Sequence, residues 1–158
     1  MTAGLFQEEN ANDIFFSRHD INENYGSASP HPFMLEDKEW PTVEQYYQAS
    51  LFSSTQLQDQ IRQLPSADAA ITFTKWRFFQ KKRGWKKLRQ VLMTRAVYTK
   101  CKTYPHIAQS LLDTGDQKLV ENSAYDYFWG CGRDRRAENN YGKVLMNVRA
   151  KLREELAG

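Results

Sequence analysis

Apolar residues along this chain first occur in short runs and later recur at helical spacing. After a polar, loose start over 1–12, Asp13-Ile14-Phe15-Phe16-Ser17 reads as a short strand. Residues 20–32 are rich in Asn, Gly, Ser and Pro and read as a loop. Phe33-Met34-Leu35, a turn at Glu36-Asp37-Lys38 and then Glu39-Trp40 read as a small hairpin. A helix follows to about Phe52. A short polar helix spans 55–63, and Ser66 caps another that runs to about Phe79. Trp85 to Lys100 is strongly helical, with Leu88, Val91, Leu92, Ala96 and Thr99 on its apolar stripe. Pro105 starts a helix that Gly115 stops. Residues 118–121 read as a strand and 122–140 as irregular. A last helix runs from Tyr141 to about Leu156, burying Tyr141, Val144, Leu145, Val148 and Leu152. The pattern predicts one compact, mainly α (α+β) domain over 1–158: a helical fold with a few short strands.

Composition narrows the class. With 158 residues, 41% hydrophobic and 26% charged, the chain has the make-up of an ordinary globular domain. A net charge of +3 and a pI of 8.8 suit phosphate-bearing small ligands but fall short of a dedicated nucleic-acid binder. Cys101 and Cys131 form no disulfide framework, and there is no leader-like or long apolar segment, so a cytoplasmic location and no membrane span are expected. His19, His31 and His106 are scattered, so no metal is expected.

Two clusters carry candidate chemistry. In the first, Thr42 is a good N-cap, Gln45 completes a capping box, and Glu44 falls in the first helical turn with Gln48 on the same face. Trp40, Tyr46, Tyr47 and Phe52 crowd this turn. A carboxylate walled by rings suits a flat base and a developing positive charge. The plainer reading makes Glu44 a helix-dipole partner. In the second, Asp126 and Trp129 stand beside Gly130 and Gly132, which allow close backbone approach. Asn139 and Gly142 open the last helix, whose N-terminus could hold a phosphate, as could Arg133, Arg135 and Arg136. The plainer reading has Asp126 capping a turn, Trp129 filling core and the arginines forming a solvated face.

Taken together, these clusters resemble a known family. Trp-Pro-Thr-x-Glu-x-Tyr-x-Gln-Ala-x-x-Phe at 40–52 resembles the first signature of the NADAR superfamily, the YbiA-like N-glycosidases. Leu112-x-Thr114-Gly115-Asp116-x-x-Leu119-Val120-Glu121 is similar to the second. Asp126-x-x-Trp129-Gly130-x-Gly132, followed by Asn139-x-x-Gly142-x-x-Leu145-Met146-x-x-Arg149, looks like the third. Trp85 and Met93 also fall where the family has them. The match runs from about 13 to 153.

The resemblance implies a mainly α fold with a small β element, and hydrolysis of an N-glycosidic bond between a ribose and a nitrogen base. Family substrates include phosphoribosylamino-pyrimidines of early riboflavin biosynthesis; some members remove ADP-ribose from guanine. Glu44 is implied as the catalytic carboxylate, and Asp126 and Trp129 as pocket residues. For the mechanism, the residues themselves offer Asp126 to grip ribose hydroxyls or orient water, Trp129 with Trp85 or Tyr47 to stack on the base, and Tyr25, Trp40, Gln48 and Gly130 as further substrate-binding candidates. Asn139 and Arg149 are implied as supports. The expected partner is a nucleotide-like small molecule, with nucleic acid not favoured, and no cofactor is expected. Two departures bear on activity. Tyr25-Gly26-Ser27-Ala28-Ser29-Pro30-His31 stands where members read Tyr-Gly-x-x-Ser-Asn-Phe, and Leu51 stands where they carry Lys. Either the substrate differs, another cation serves (Lys38, Lys75 or Lys81), or activity is reduced. The rival readings are a non-catalytic nucleotide-binding module and an ADP-ribosyl-guanine hydrolase acting on nucleic acid.

Overall fold

A computed structural model describes residues 12–158. The loose start expected over 1–12 therefore lies, apart from Asn12, outside the described residues. These contain four short strands, β1 (Ile14–Phe16), β2 (Phe33–Leu35), β3 (Lys38–Trp40) and β4 (Leu119–Glu121). Six helices accompany them: α1 (Val43–Ser50), α2 (Thr55–Arg62), α3 (Ala67–Lys75), α4 (Trp85–Thr103), α5 (Pro105–Asp113) and α6 (Asn140–Ala157). The expected α+β architecture is the observed one.

The boundaries follow local chemistry. Thr42 is extended, and its hydroxyl accepts the Gln45 amide at 3.1 Å. Ser54 and Ser66 cap α2 and α3 in the same way. Helix α3 stops at Lys75 rather than reaching Phe79. Its aromatic continuation has no core to bury into: Trp76 is 81% and Phe79 96% exposed, and the chain makes a 3-10 turn over Phe78–Gln80. The apolar stripe of α4 also sits differently from its expected place. Val91 is half-exposed, and the buried face is Leu92, Met93, Ala96, Val97, Lys100 and Cys101.

β2 and β3 form the expected antiparallel hairpin, with Phe33 opposite Trp40. Its turn residues Glu36 and Asp37 have φ of 54° and 62°, the left-handed pair of a two-residue I′ turn. An L-residue is strained there, so Asp37→Gly should raise stability by about 0.5–1 kcal/mol, read as a Tm increase of a few degrees.

The pairing of β1 with β4 is parallel and joins residues a hundred positions apart, with Phe16 opposite Glu121. Helix α4 packs against α1, α5 and α6, and β4 lies on α6. The core runs from Phe33 and Trp40 through Tyr46, Phe52 and Met93 to Tyr141, Leu145 and Val148. Together, β1, β4 and the N-terminal turn of α1 bring the two candidate clusters to one end of this core.

Candidate active site

Helix α1 is buried from Val43 to Ala49, so its first-turn carboxylate points into protein. Glu44 is fully buried, and its backbone N–H donates to the Ser27 carbonyl at 2.9 Å. Its Oε2 accepts from Arg18 Nη1 at 2.6 Å and from Ser27 Oγ at 2.6 Å. Oε1 accepts from Gln48 Nε2 at 2.8 Å, and Gln48 is held in turn by the Thr74 hydroxyl at 2.7 Å. A carboxylate offers about four acceptor positions; three are filled, and the remaining one lies on Oε1.

Arg18 is the hub of the site. Its backbone N–H donates to Glu121 Oε1 at 3.1 Å, and its Nη2 lies 3.6 Å from Asp126 Oδ2. The guanidinium carbon sits 5.8 Å from the centre of the Trp129 ring. Burial opposes its charge, but Glu44, Asp126, Tyr141 and Glu121 together hold its pKa above the ordinary arginine value. Its buried Nε has no hydrogen-bond partner. An unmet donor in this position is costly.

Asp126 both caps and binds. Its Oδ1 accepts the Phe128 and Trp129 amides at 3.1 and 2.8 Å, while Oδ2 faces Arg18. Trp129 stands edge-on to Tyr47 at 5.4 Å, to Phe128 at 4.7 Å and to Tyr141 at 6.3 Å. Burial and the Glu44 charge push the Tyr47 hydroxyl well above its usual pKa, so it stays neutral. Gly130 is required by crowding: a Cβ there would lie 2.6 Å from Glu121 Oε2 and 2.8 Å from the Ser123 carbonyl.

Of the residues read from sequence, Glu44, Gln48, Tyr47, Asp126, Trp129 and Gly130 converge. Trp85 lies farther out, 5.7 Å from Phe78 and under the Lys81 ammonium. Other positions are committed elsewhere. Trp40 is buried against Tyr46, and its Nε1 donates to the Leu35 carbonyl. The Tyr25 hydroxyl meets Ser110 on α5. Arg149 Nη1 holds Thr114 Oγ1 and the Gln117 carbonyl, bracing the approach to β4. Asn139, at φ 49°, clamps β4 through the Glu121 amide and the Leu119 carbonyl.

The N-terminus of α6 does not offer the phosphate seat its sequence invites. The amides of Asn139, Asn140 and Tyr141 are spent on the carbonyls of Gly130, Phe128 and Trp129. Cys131 and Cys101 are both buried free thiols, and burial raises the pKa of each.

Arg18, Ser27, Thr74 and Glu121 carry the site without having been read as site residues. Arg18 and Ser27 lie in the polar segment between β1 and β2, where no periodicity marks them. The altered loop at 27–31 nonetheless keeps a hydroxyl on Glu44 through Ser27. Leu51 is buried, and its carbonyl accepts the Lys82 amide at 2.8 Å. Of the three replacement cations, Lys38 pairs with Asp59, Lys75 ends α3 on the exposed surface, and Lys81 is half-buried over Trp85 at 4.2 Å.

Lys100 supports the loop from below. It is buried on α4, donating to the Gly26 carbonyl at 3.0 Å and to Ser29 Oγ at 2.7 Å. Burial lowers its pKa from 10.5 to about 8. Between those two values the unfolded chain holds a proton that the folded chain has released. The cost of burying the charge is therefore full below pH 8 and is relieved as the pH rises towards 10.5. In urea unfolding at pH 7.5 and 10, wild type should gain stability relative to Lys100→Met at the higher pH.

Glu44 and Asp126 on the Arg18 guanidinium, and Glu121 on the Arg18 backbone N–H, form a well walled by rings in which carboxylates outnumber cations. The fold and this cluster define a small, mainly helical domain with an arginine–carboxylate network set among aromatic rings. Among the described residues no cluster of His, Cys, Asp and Glu could hold a metal, and no helix is long and apolar enough to cross a membrane. The chain belongs to the NADAR domain family, whose model matches residues 5–153. It is 36% identical over 136 residues to N-glycosidase Npun_R5314 of Nostoc punctiforme, a match covering 84% of this chain and 87% of that one. It is 33% identical to the riboflavin biosynthesis protein PYRR, chloroplastic, of Zea mays, over 87% of this chain and 25% of that longer protein. The NMR structure of the E. coli protein YbiA superposes with a TM-score of 0.82 at 27% identity, covering 92% of this chain and 88% of that one.

Proposed function

We propose that this chain is an N-glycosidase that hydrolyses the bond between ribose and a nitrogen base in a nucleotide-like metabolite. The observation that carries the reading is Glu44, fully buried in a ring-walled well whose carboxylates outnumber its cations. Cleavage of an N-glycoside passes through an oxocarbenium-like ribose. A fixed negative charge out of water stabilises that cation without reorganising. In this reading Glu44 supplies the charge, and Arg18, Ser27 and Gln48 hold it in place. Asp126 grips ribose hydroxyls or orients the attacking water. Trp129 and Tyr47 flank the base. Because Glu44 is covered, substrate enters by displacing side chains of the two flanking loops, 17–32 and 122–139.

The names of the relatives support the activity, and the riboflavin-related ones favour an aminopyrimidine ribosyl phosphate as substrate. Two free buried thiols accord with a reducing cytoplasm. The test is incubation with aminopyrimidine ribosyl phosphates, ADP-ribosylated guanosine and NAD, with products read by liquid chromatography and mass spectrometry. Release of free base from the aminopyrimidine is the expected result. Release from ADP-ribosylated guanosine alone would move the substrate to the other branch. Binding without release would make the chain a nucleotide-binding module.

A further inference from the structure

Between Asp68 and Asp113 the sequence contains no Asp or Glu, yet this stretch holds eleven of the chain's 22 Lys and Arg residues. Among the described residues, none of the eight cations from Lys75 to Arg89 makes an ion pair with a carboxylate. Lys75, Arg83, Lys86 and Lys87 are exposed, and Arg77 is taken up by the ring and carbonyl of Phe73. Lys81 and Arg89 share one aromatic ring.

Lys81 is half-buried, with its ammonium 4.2 Å from the Trp85 ring centre and 5.4 Å from that of Phe78. The Arg89 guanidinium lies 5.4 Å from the same Trp85 ring and stacks 3.5 Å from the centre of Phe128. Stacking occupies the face of the guanidinium, and its Nε–H donates to the Lys86 carbonyl at 3.1 Å. The Nη hydrogens, at the edge of the plane, are uncommitted. Burial and the neighbouring Arg89 charge both lower the Lys81 pKa, and the shared Trp85 ring, 4.2 Å from one cation and 5.4 Å from the other, keeps the two charges close. Two cations held together on aromatic rings, with no carboxylate between them, are stabilised by an oxyanion.

The pair borders the well. Phe128 touches Trp129, Trp129 touches Tyr47, and the Arg89 charge is felt at the Tyr47 hydroxyl. The Lys82 amide is tied to Leu51 at the end of α1. A phosphate cannot share the well with Glu44, Asp126 and Glu121, because like charges repel there. It must lie toward the rim, where these cations stand.

We propose that Lys81 and Arg89, both beside the Trp85 ring, form an oxyanion subsite that holds the phosphate of a ribosyl phosphate whose sugar carbon faces Glu44. This rests on the N-glycosidase reading.

The test uses wild type, Lys81→Met, Arg89→Met and the double variant, with folding checked by circular dichroism. Two readouts are taken: kcat/KM for an aminopyrimidine ribosyl phosphate against its dephosphorylated form, and calorimetric binding of ribose 5-phosphate against ribose. Wild type should favour the phosphorylated member of each pair. In the double variant each ratio should fall by at least about tenfold, the scale of one lost charge-assisted contact. Equal losses on both members of a pair, leaving the ratios intact, would overturn the subsite. So would a single-stranded oligonucleotide that displaces ribose 5-phosphate and binds at least about tenfold tighter, since stacking platforms with cations also hold strands. Phosphate-selective binding that the double variant loses, with no turnover by wild type, would keep the subsite and remove the glycosidase. Turnover indifferent to the phosphate would do the reverse.

Discussion

Glu44→Gln should lower turnover of an accepted ribosyl substrate by two or more orders of magnitude while the protein stays folded, the scale expected for loss of a principal electrostatic or acid–base group. The substitution is nearly isosteric. A glutamine oxygen at position 44 can still accept from Arg18 Nη1, which donates to Glu44 Oε2 at 2.6 Å in wild type. What disappears is the negative charge beside the developing ribose cation. The loss should therefore fall on kcat more than on KM, because the ground-state sugar is neutral. Single-turnover product release with the two proteins side by side measures it. Turnover within a few-fold of wild type would assign Glu44 to the helix dipole and to the fold, the plainer reading of its position.

Arg18→Met should destabilise the protein by about 3–5 kcal/mol, the range for breaking a buried pair from one side. For a chain of this size that is on the order of 10 °C in Tm. The reason is the company Arg18 keeps. Glu44 has no exposed surface, and Arg18 is its ion-pair partner at 2.6 Å; Asp126 is drawn to the same guanidinium at 3.6 Å. Without that charge, Glu44 is left buried with only Ser27 and Gln48. The double variant Arg18→Met/Glu44→Leu removes both charges together and should recover much of the loss, since a well-packed apolar pair can match a buried ion pair. Thermal unfolding of the three proteins separates the terms. If the single and double variants were equally destabilised, Arg18 would matter for packing and not for neutralising Glu44.

Helix α1 was legible because every signal in it is local. Thr42 caps, Glu44 sits in the first turn, and Gln48 lies four residues on along the same face, where it does bond Glu44. One detail of the cap differs. The Gln45 side chain takes the Thr42 hydroxyl at 3.0 Å and donates to the carbonyls of Ile61 and Leu64, so it ties α1 to the end of α2 instead of closing a box on the backbone. Asp126 was legible as a turn cap, and its pairing with Arg18 was not. The aromatic residues were legible only as a set. Trp40 and Tyr47 look alike in the sequence, seven residues apart around Glu44. Both are buried in the core, but the hairpin sets Trp40 against Tyr46, while Tyr47, on the helix, meets Trp129.

By itself, the sequence determined the helices, the hairpin, the family motifs and the two carboxylate clusters, because caps, periodicity and turn residues act over a few neighbouring positions. Only the tertiary structure decided which groups meet. The parallel pairing of β1 with β4 sets Phe16 opposite Glu121, and Glu121 in turn takes the backbone N–H of Arg18. That places the Arg18 guanidinium on Glu44, 26 residues away in the chain. The same folding spends Asn139 and Arg149 on bracing β4 and its approach, although their motif positions invite a substrate role. A buried ion pair is specified by the point where two distant segments cross, and no local rule of spacing encodes that crossing.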